Sequence, residues 1–91
     1  MDRQEINHMY NGHLTQLRKI VSTWNLMTGV PSYEFDTLCN TVLSHLYQQA
    51  DLQKIERVIE SELIVRYGFF QNEIAPEAMA HDVMNWWEAN Q

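Results

Sequence analysis

The chain has 91 residues, with twelve acidic and six basic side chains and therefore a formal net charge of −6. This length predicts one helical domain over residues 1–91 with a modest core, and it leaves no room for a cleft between two lobes. Proteins that bind nucleic acid usually carry a basic surface, so the charge balance argues against direct binding of DNA or RNA.

The cysteine content and the apolar runs indicate where the protein resides. The single cysteine, Cys39, excludes an internal disulfide and a four-cysteine zinc site. The first ten residues lack the basic flank and the apolar run of a signal peptide. No run of 18 apolar residues occurs, so no membrane span is expected. We therefore expect a cytoplasmic protein.

The first 27 residues show the clearest helical pattern. Apolar or aromatic residues recur in alternating steps of four and three, which predicts one long helix at about 3–27. The residues of this stripe are Ile6, Tyr10, His13, Leu17, Ile20, Trp24 and Met27. The pair Asn11-Gly12 is also a turn signal, but the stripe keeps its phase across it and favours an unbroken helix. Gly and Pro within 28–31 predict the stop.

The next helical pattern contains a phase jump. Ser32 is a good N-cap for a second helix at about 33–49. The apolar stripe of this helix is then interrupted, and apolar residues resume in a different phase at Leu52. The jump predicts a break at 49–51, with Asp51 as the N-cap of a third helix at about 52–67. A single bent helix over residues 33–67 is the alternative.

The remaining segment predicts a loop and a fourth helix. Gly68 ends the third helix, and Pro76 suits the first position of a helix at about 76–90. No segment alternates with the period of a strand. The sequence therefore predicts an all-α fold, either a small four-helix bundle or a less regular helical array.

Catalytic and metal-binding patterns are weak. Glu5 and His8 have helical metal-ligand spacing, but no second such pair occurs, and His13 lies on the apolar stripe. Cys39 lies on the apolar stripe of the second helix, where a reactive thiolate is disfavoured. No glycine-rich phosphate loop or nucleophile motif is present. We expect no enzyme activity, metal or cofactor; a histidine-dependent metal or small-ligand binder is a further alternative.

The aromatic residues are the most informative feature. There are three tryptophans, four tyrosines and three phenylalanines, more than a core of this size readily accommodates. Tryptophan and tyrosine are favoured anchors of protein interfaces. We therefore predict a partner-binding surface that includes Trp24, Phe69, Phe70, Trp86 and Trp87. A second, acidic surface is predicted from Asp51, Glu56, Glu60 and Glu62.

These observations support a non-enzymatic, stoichiometric protein-binding module, a small regulator or inhibitor that occludes a protein partner. In size, charge and lack of catalytic motifs the chain resembles small acidic helical proteins of phages, plasmids and other mobile elements, which include inhibitors, immunity proteins and anti-defence factors. The alternative is an acidic nucleic-acid mimic that blocks a DNA- or RNA-binding enzyme. The wide apolar face of the fourth helix is also compatible with a homodimer.

Overall fold

A computed structural model describes residues 3–26 and 32–90, and within these ranges it describes the side chains of 9–26 and 34–90. This part of the chain contains four α-helices and no strand, which confirms the all-α prediction. The helices are α1 (Arg3–Ser22), α2 (Asp36–Tyr47), α3 (Leu52–Ser61) and α4 (Pro76–Ala89). Each packs against the next in the chain, and α4 returns to α1.

Helix α1 runs unbroken through Asn11-Gly12, as the sequence predicted, but it ends at Ser22 rather than near residue 27. The hydroxyls of Ser22 and Thr23 donate back to backbone carbonyls one turn earlier, a contact that competes with helix continuation. Asn25 then adopts a left-handed φ of 52°. The stop predicted at 28–31 lies outside the described residues.

The break between α2 and α3 is confirmed, and the single bent helix is wrong. Gln49 adopts a left-handed φ of 64°, which reverses the chain after α2. Asp51 then caps α3, because its carboxylate accepts a hydrogen bond from the Lys54 backbone N–H at 2.9 Å. The helix start predicted at residue 33 was early, because a 3-10 turn over Ser32–Phe35 precedes α2.

The end of the third helix differs from the prediction. The α-helix extends only to Ser61 and continues as one π-helical turn over Glu62–Arg66. Gly68, with φ of 76°, then ends the helix as predicted. The Tyr67 hydroxyl accepts a hydrogen bond from the Leu38 N–H and donates one to the Glu34 carbonyl. These two bonds tie the residue after the π-helical turn to the first turn of α2 and to the 3-10 turn that precedes it.

The segment before α4 is short and ordered by local contacts. A 3-10 turn covers Gln71–Glu73, and the Glu73 carboxylate accepts a hydrogen bond from the Phe70 N–H at 2.9 Å. Pro76 is the first residue of α4, as the sequence predicted.

The core lies where the apolar stripes of all four helices meet. Its side chains are mostly aliphatic and include Leu17, Leu38, Leu43, Leu46, Ile55, Ile59, Leu63 and Val83, each at most 1% exposed. At the edge of this core, the Arg18 guanidinium binds both carboxylate oxygens of Asp36, at 2.7 and 2.8 Å, and joins α1 to α2. Within 3–26 and 32–90, no helix combines the length and the apolar content that a membrane crossing requires.

Candidate functional site: an aromatic groove

Five rings from three helices form one cluster at the edge of the core, which we call the aromatic cluster. Its members are Tyr10 and His13 of α1, Tyr47 of α2, and Trp86 and Trp87 of α4. Tyr10 and His13 are three residues apart, so one face of α1 presents both. Tyr47 is the last residue of α2, and the two tryptophans belong to the last turns of α4. The ends of two helices therefore meet the middle of a third.

His13 is the central member of the aromatic cluster. Its Nδ1 lies 2.7 Å from the Tyr47 hydroxyl oxygen, a hydrogen bond between α1 and α2. The His13 ring is also 5.3 Å from the Trp87 ring and 5.8 Å from the Trp86 ring, both in steep, edge-on orientations. Aromatic rings prefer this arrangement because the positive edge of one faces the negative face of the other.

Two outer members of the aromatic cluster are fixed by further hydrogen bonds. The Tyr10 ring stacks on Tyr47 at 5.9 Å, and its hydroxyl donates to the side-chain oxygen of Asn40. The Trp86 indole N–H donates to the Gln16 side-chain oxygen at 2.7 Å. These bonds restrict the orientation of the Tyr10 and Trp86 rings.

A groove of about 380 Å³ opens beside the aromatic cluster, and we call it the aromatic groove. Three rings (His13, Tyr47, Trp87), two aliphatic side chains (Met9, Leu46) and two amides (Gln49, Asn90) line it. Met9 is 54% exposed and Tyr47 is 44% exposed, so two large apolar side chains face solvent here. Such a mixture of apolar surface and a few polar groups is typical of a binding site.

Trp86 lines a neighbouring depression between α1 and α4, and Trp24 is bonded to another residue that lines it, Asp82. The Trp24 indole N–H donates to an Asp82 carboxylate oxygen at 3.0 Å, which links the segment just after α1 to α4. Lys19, Asp82 and Trp86 line this depression. The structure thus places three predicted residues, Trp24, Trp86 and Trp87, along the contact of α4 with its neighbours.

Phe69 and Phe70 lie apart from the aromatic cluster. Phe69 is half-buried against the core, whereas Phe70 is 73% exposed. Among the described residues, no ring pair joins either phenylalanine to Trp86 or Trp87. The surface predicted from the sequence therefore divides into two separate parts, a tryptophan part at the aromatic groove and a phenylalanine part after α3.

Sequence reasoning missed Met9, Tyr10, His13 and Tyr47 as members of this site. The apolar stripe of α1 already placed Tyr10 and His13 on one face. Nothing in the sequence showed that the end of α2 and the end of α4 would both meet that face. The grouping depends on helix packing, which the periodicity of a single helix does not report.

The four residues of the predicted acidic surface make different contacts in the structure. Asp51 caps α3, and Glu62 forms an ion pair with Arg66 at 2.6 Å. Glu56 and Glu60 are half-buried and lie one turn apart on α3. Two of the four carboxylates are thus already bound within the chain.

The thiol of Cys39 is buried and unreactive. Cys39 has no exposed surface, as the sequence predicted, and burial raises its pKa to about 12. The negative charge of Asp36 contributes to this increase, and the positive charge of Arg18 opposes it. The thiol therefore stays protonated at neutral pH and is not a nucleophile.

The described side chains contain no group of three or more His, Cys, Asp or Glu residues suited to a metal ion. The side chains of Glu5 and His8 lie outside the described part. Comparison with protein-family models, with curated proteins and with solved structures gives no significant match.

Proposed function

We propose that the chain is a non-enzymatic, stoichiometric protein-binding module of the cytoplasm that occludes its partner through the aromatic groove. One observation carries this proposal: Tyr47 and Met9 remain about half exposed beside rings that are fixed by hydrogen bonds. Fixed aromatic rings at the surface are the usual anchors of protein interfaces. The aromatic groove supplies such anchors without further rearrangement.

The hydrogen-bond pattern supports a binding role for the rings. A side chain that serves only the core gains most from full burial, as Leu43 and Ile59 show. Tyr47 instead turns its hydroxyl to His13 and leaves much of its ring in solvent. A partner that covered this ring and Met9 would remove apolar surface from water at little entropic cost.

The alternative, an acidic nucleic-acid mimic, receives less support. A mimic needs free carboxylates on one surface, but Glu62 and Asp36 are paired with arginines. Glu56 and Glu60 are the remaining neighbours on α3. This alternative therefore enters as an outcome of the experiment below.

The test is a comparison of two aromatic deletions. Tyr47→Ala removes a ring from the aromatic groove, and Phe70→Ala removes an exposed ring outside it. Each variant is immobilised, incubated with nuclease-treated lysate of the organism that encodes the chain, and the retained proteins are quantified by mass spectrometry. We expect the partner on the wild type and on Phe70→Ala, and its loss on Tyr47→Ala. Circular dichroism confirms that both variants fold, and Met9→Ala replaces Tyr47→Ala if that variant does not.

Three other outcomes would contradict the proposal. Loss of the partner on Phe70→Ala alone would move the contact to the segment after α3. A partner that is displaced by DNA or RNA and lost when Glu56 and Glu60 are changed to Lys would favour the acidic mimic. Retention of the chain itself as the only captured protein would indicate a homodimer.

A further inference from the structure

We propose that the aromatic groove binds a cationic side chain, an arginine or a lysine, presented by a basic segment of the partner. This inference rests on the proposed function and specifies the chemistry of the occupant. It follows from three features of the aromatic groove: the orientation of its rings, its polar atoms and the charges around it.

The rings form a corner that suits a cation. The Tyr47 and Trp87 rings are 5.5 Å apart and nearly perpendicular, with an interplanar angle of 88°. A cation near the ring face of tryptophan or tyrosine, within about 6 Å of its centroid, is attracted by the ring quadrupole. Because both rings line the same groove, one guanidinium or ammonium group can contact both. An aliphatic side chain would gain only the burial of its surface.

Two side-chain amides line the aromatic groove and carry oxygens that can accept hydrogen bonds. Asn90 donates its side-chain N–H to the Trp86 carbonyl at 2.7 Å, an arrangement that leaves its side-chain oxygen as the free end of the amide. Gln49 contributes a second side-chain amide. Arginine carries five N–H donors and no acceptor, so amide oxygens and aromatic rings that line one groove suit it.

The Asp, Glu, Lys and Arg residues that adjoin the lining residues in the sequence are all acidic, which favours a positive occupant. No lysine or arginine occurs within two sequence positions of any lining residue, whereas Asp51 and Glu88 do, and both are exposed. Two of the described arginines, Arg18 and Arg66, are held in ion pairs elsewhere. The net charge of −6 adds a long-range attraction for a basic partner.

The effect of Met9 substitutions on affinity distinguishes a cationic occupant of the aromatic groove from an apolar one. Met9 is 54% exposed on α1, so Lys, Gln and Glu are all tolerated there by the helix. The three side chains have similar length and differ in charge. For a cationic occupant, affinity should decrease in the order Glu, Gln, Lys. For an apolar occupant, all three substitutions should weaken binding to a similar extent.

The probe is N-acetyl-arginine amide, with N-acetyl-citrulline amide as its neutral, nearly isosteric control. Binding is followed by NMR through the indole N–H signal of Trp87 and the side-chain amide signals of Gln49 and Asn90. The indole signal of Trp24, which is bonded to Asp82, is the internal reference. We expect the arginine amide to bind about threefold to fivefold more tightly than the citrulline amide. Met9→Lys should abolish this preference, and Met9→Glu should increase it.

The outcomes distinguish this inference from the proposed function. Equal binding of arginine and citrulline amides, or tighter binding of N-acetyl-leucine amide, would overturn the cationic occupant and leave the protein-binding function in place. No shift at Trp87 with any amide, together with normal partner capture by Tyr47→Ala, would overturn both. Ordered affinities across the Met9 series would support both.

Discussion

The largely aliphatic core and the aromatic cluster are neighbouring regions that are held together by different kinds of interaction. The core buries Leu38, Leu43, Ile55 and Ile59 completely and depends on non-directional packing. The aromatic cluster leaves its rings partly in solvent and depends on directional contacts, among them the bond of His13 to Tyr47. We therefore expect the core to contribute most of the stability, whereas the exposed, oriented side chains that we propose for binding lie at its edge.

The largest change in the free energy of unfolding is expected for substitutions in the core. Leu43→Ala or Ile59→Ala should lower the free energy of unfolding by about 2–5 kcal/mol, because each leaves a cavity in a fully buried position. Urea unfolding followed by circular dichroism measures the change. Val65→Ala is the matched control, since Val65 is 81% exposed, and it should stay within about 0.5 kcal/mol of the wild type. Comparable losses at all three positions would contradict the assignment of the core.

Alkaline pH should lower the free energy of unfolding, because the buried thiol of Cys39 ionises more readily in the unfolded chain. Burial raises the pKa of this thiol from 9.0 to about 12, so between these values the unfolded chain binds fewer protons than the folded one. The free energy of unfolding therefore falls as pH rises through this window, by at most about 1.4 kcal/mol per pH unit. Urea unfolding at pH 8, 9, 10 and 11 measures the slope.

Cys39→Ala is the control for this pH dependence. It should reduce the slope between pH 9 and 10 most clearly. Burial also raises the pKa values of Tyr47 and Tyr67, so a weaker decline in the same direction should persist at higher pH. A slope that Cys39→Ala leaves unchanged would show that the thiol is not the source.

A smaller effect is expected where α1 meets α4. Trp86→Phe keeps most of the ring but removes the N–H that donates to Gln16, and it should cost about 1 kcal/mol. Hydrogen exchange should become faster in α1 and remain unchanged in α3, because the lost bond joins α1 to α4 and involves no residue of α3. Gln16→Leu, made alone and with Trp86→Phe, gives the double-mutant cycle. Additive effects would exclude coupling between the two side chains.

The smallest change in the free energy of unfolding is expected for a substitution in the segment after α3. Phe70→Ala should change the free energy of unfolding by less than about 0.5 kcal/mol, since its ring is 73% exposed and its two hydrogen bonds, both to Glu73, use backbone atoms that alanine keeps. Thermal unfolding measures this change. A large loss of stability would place Phe70 in the core and remove it as the control for Tyr47→Ala.

Local sequence signals determined the helices. The phase jump before Leu52 predicted the break after α2 and the cap at Asp51, because both depend on residues a few positions apart. The length of α1 was overestimated, since its apolar stripe continues in the sequence to Met27 although the helix ends at Ser22, where hydroxyl contacts and the left-handed Asn25 follow. Periodicity reports which residues share a face and is insensitive to a helix that ends early.

The all-α class, the buried position of Cys39 and the stop at Gly68 were thus already determined by the sequence, because helix periodicity and glycine conformation are local properties of the chain. The division of the aromatic residues was decided only by the packing of the helices. Trp86 and Trp87 join Tyr10, His13 and Tyr47, whereas Phe69 and Phe70 remain apart. This grouping joins residues more than thirty positions apart, whose proximity depends on how α1, α2 and α4 pack together.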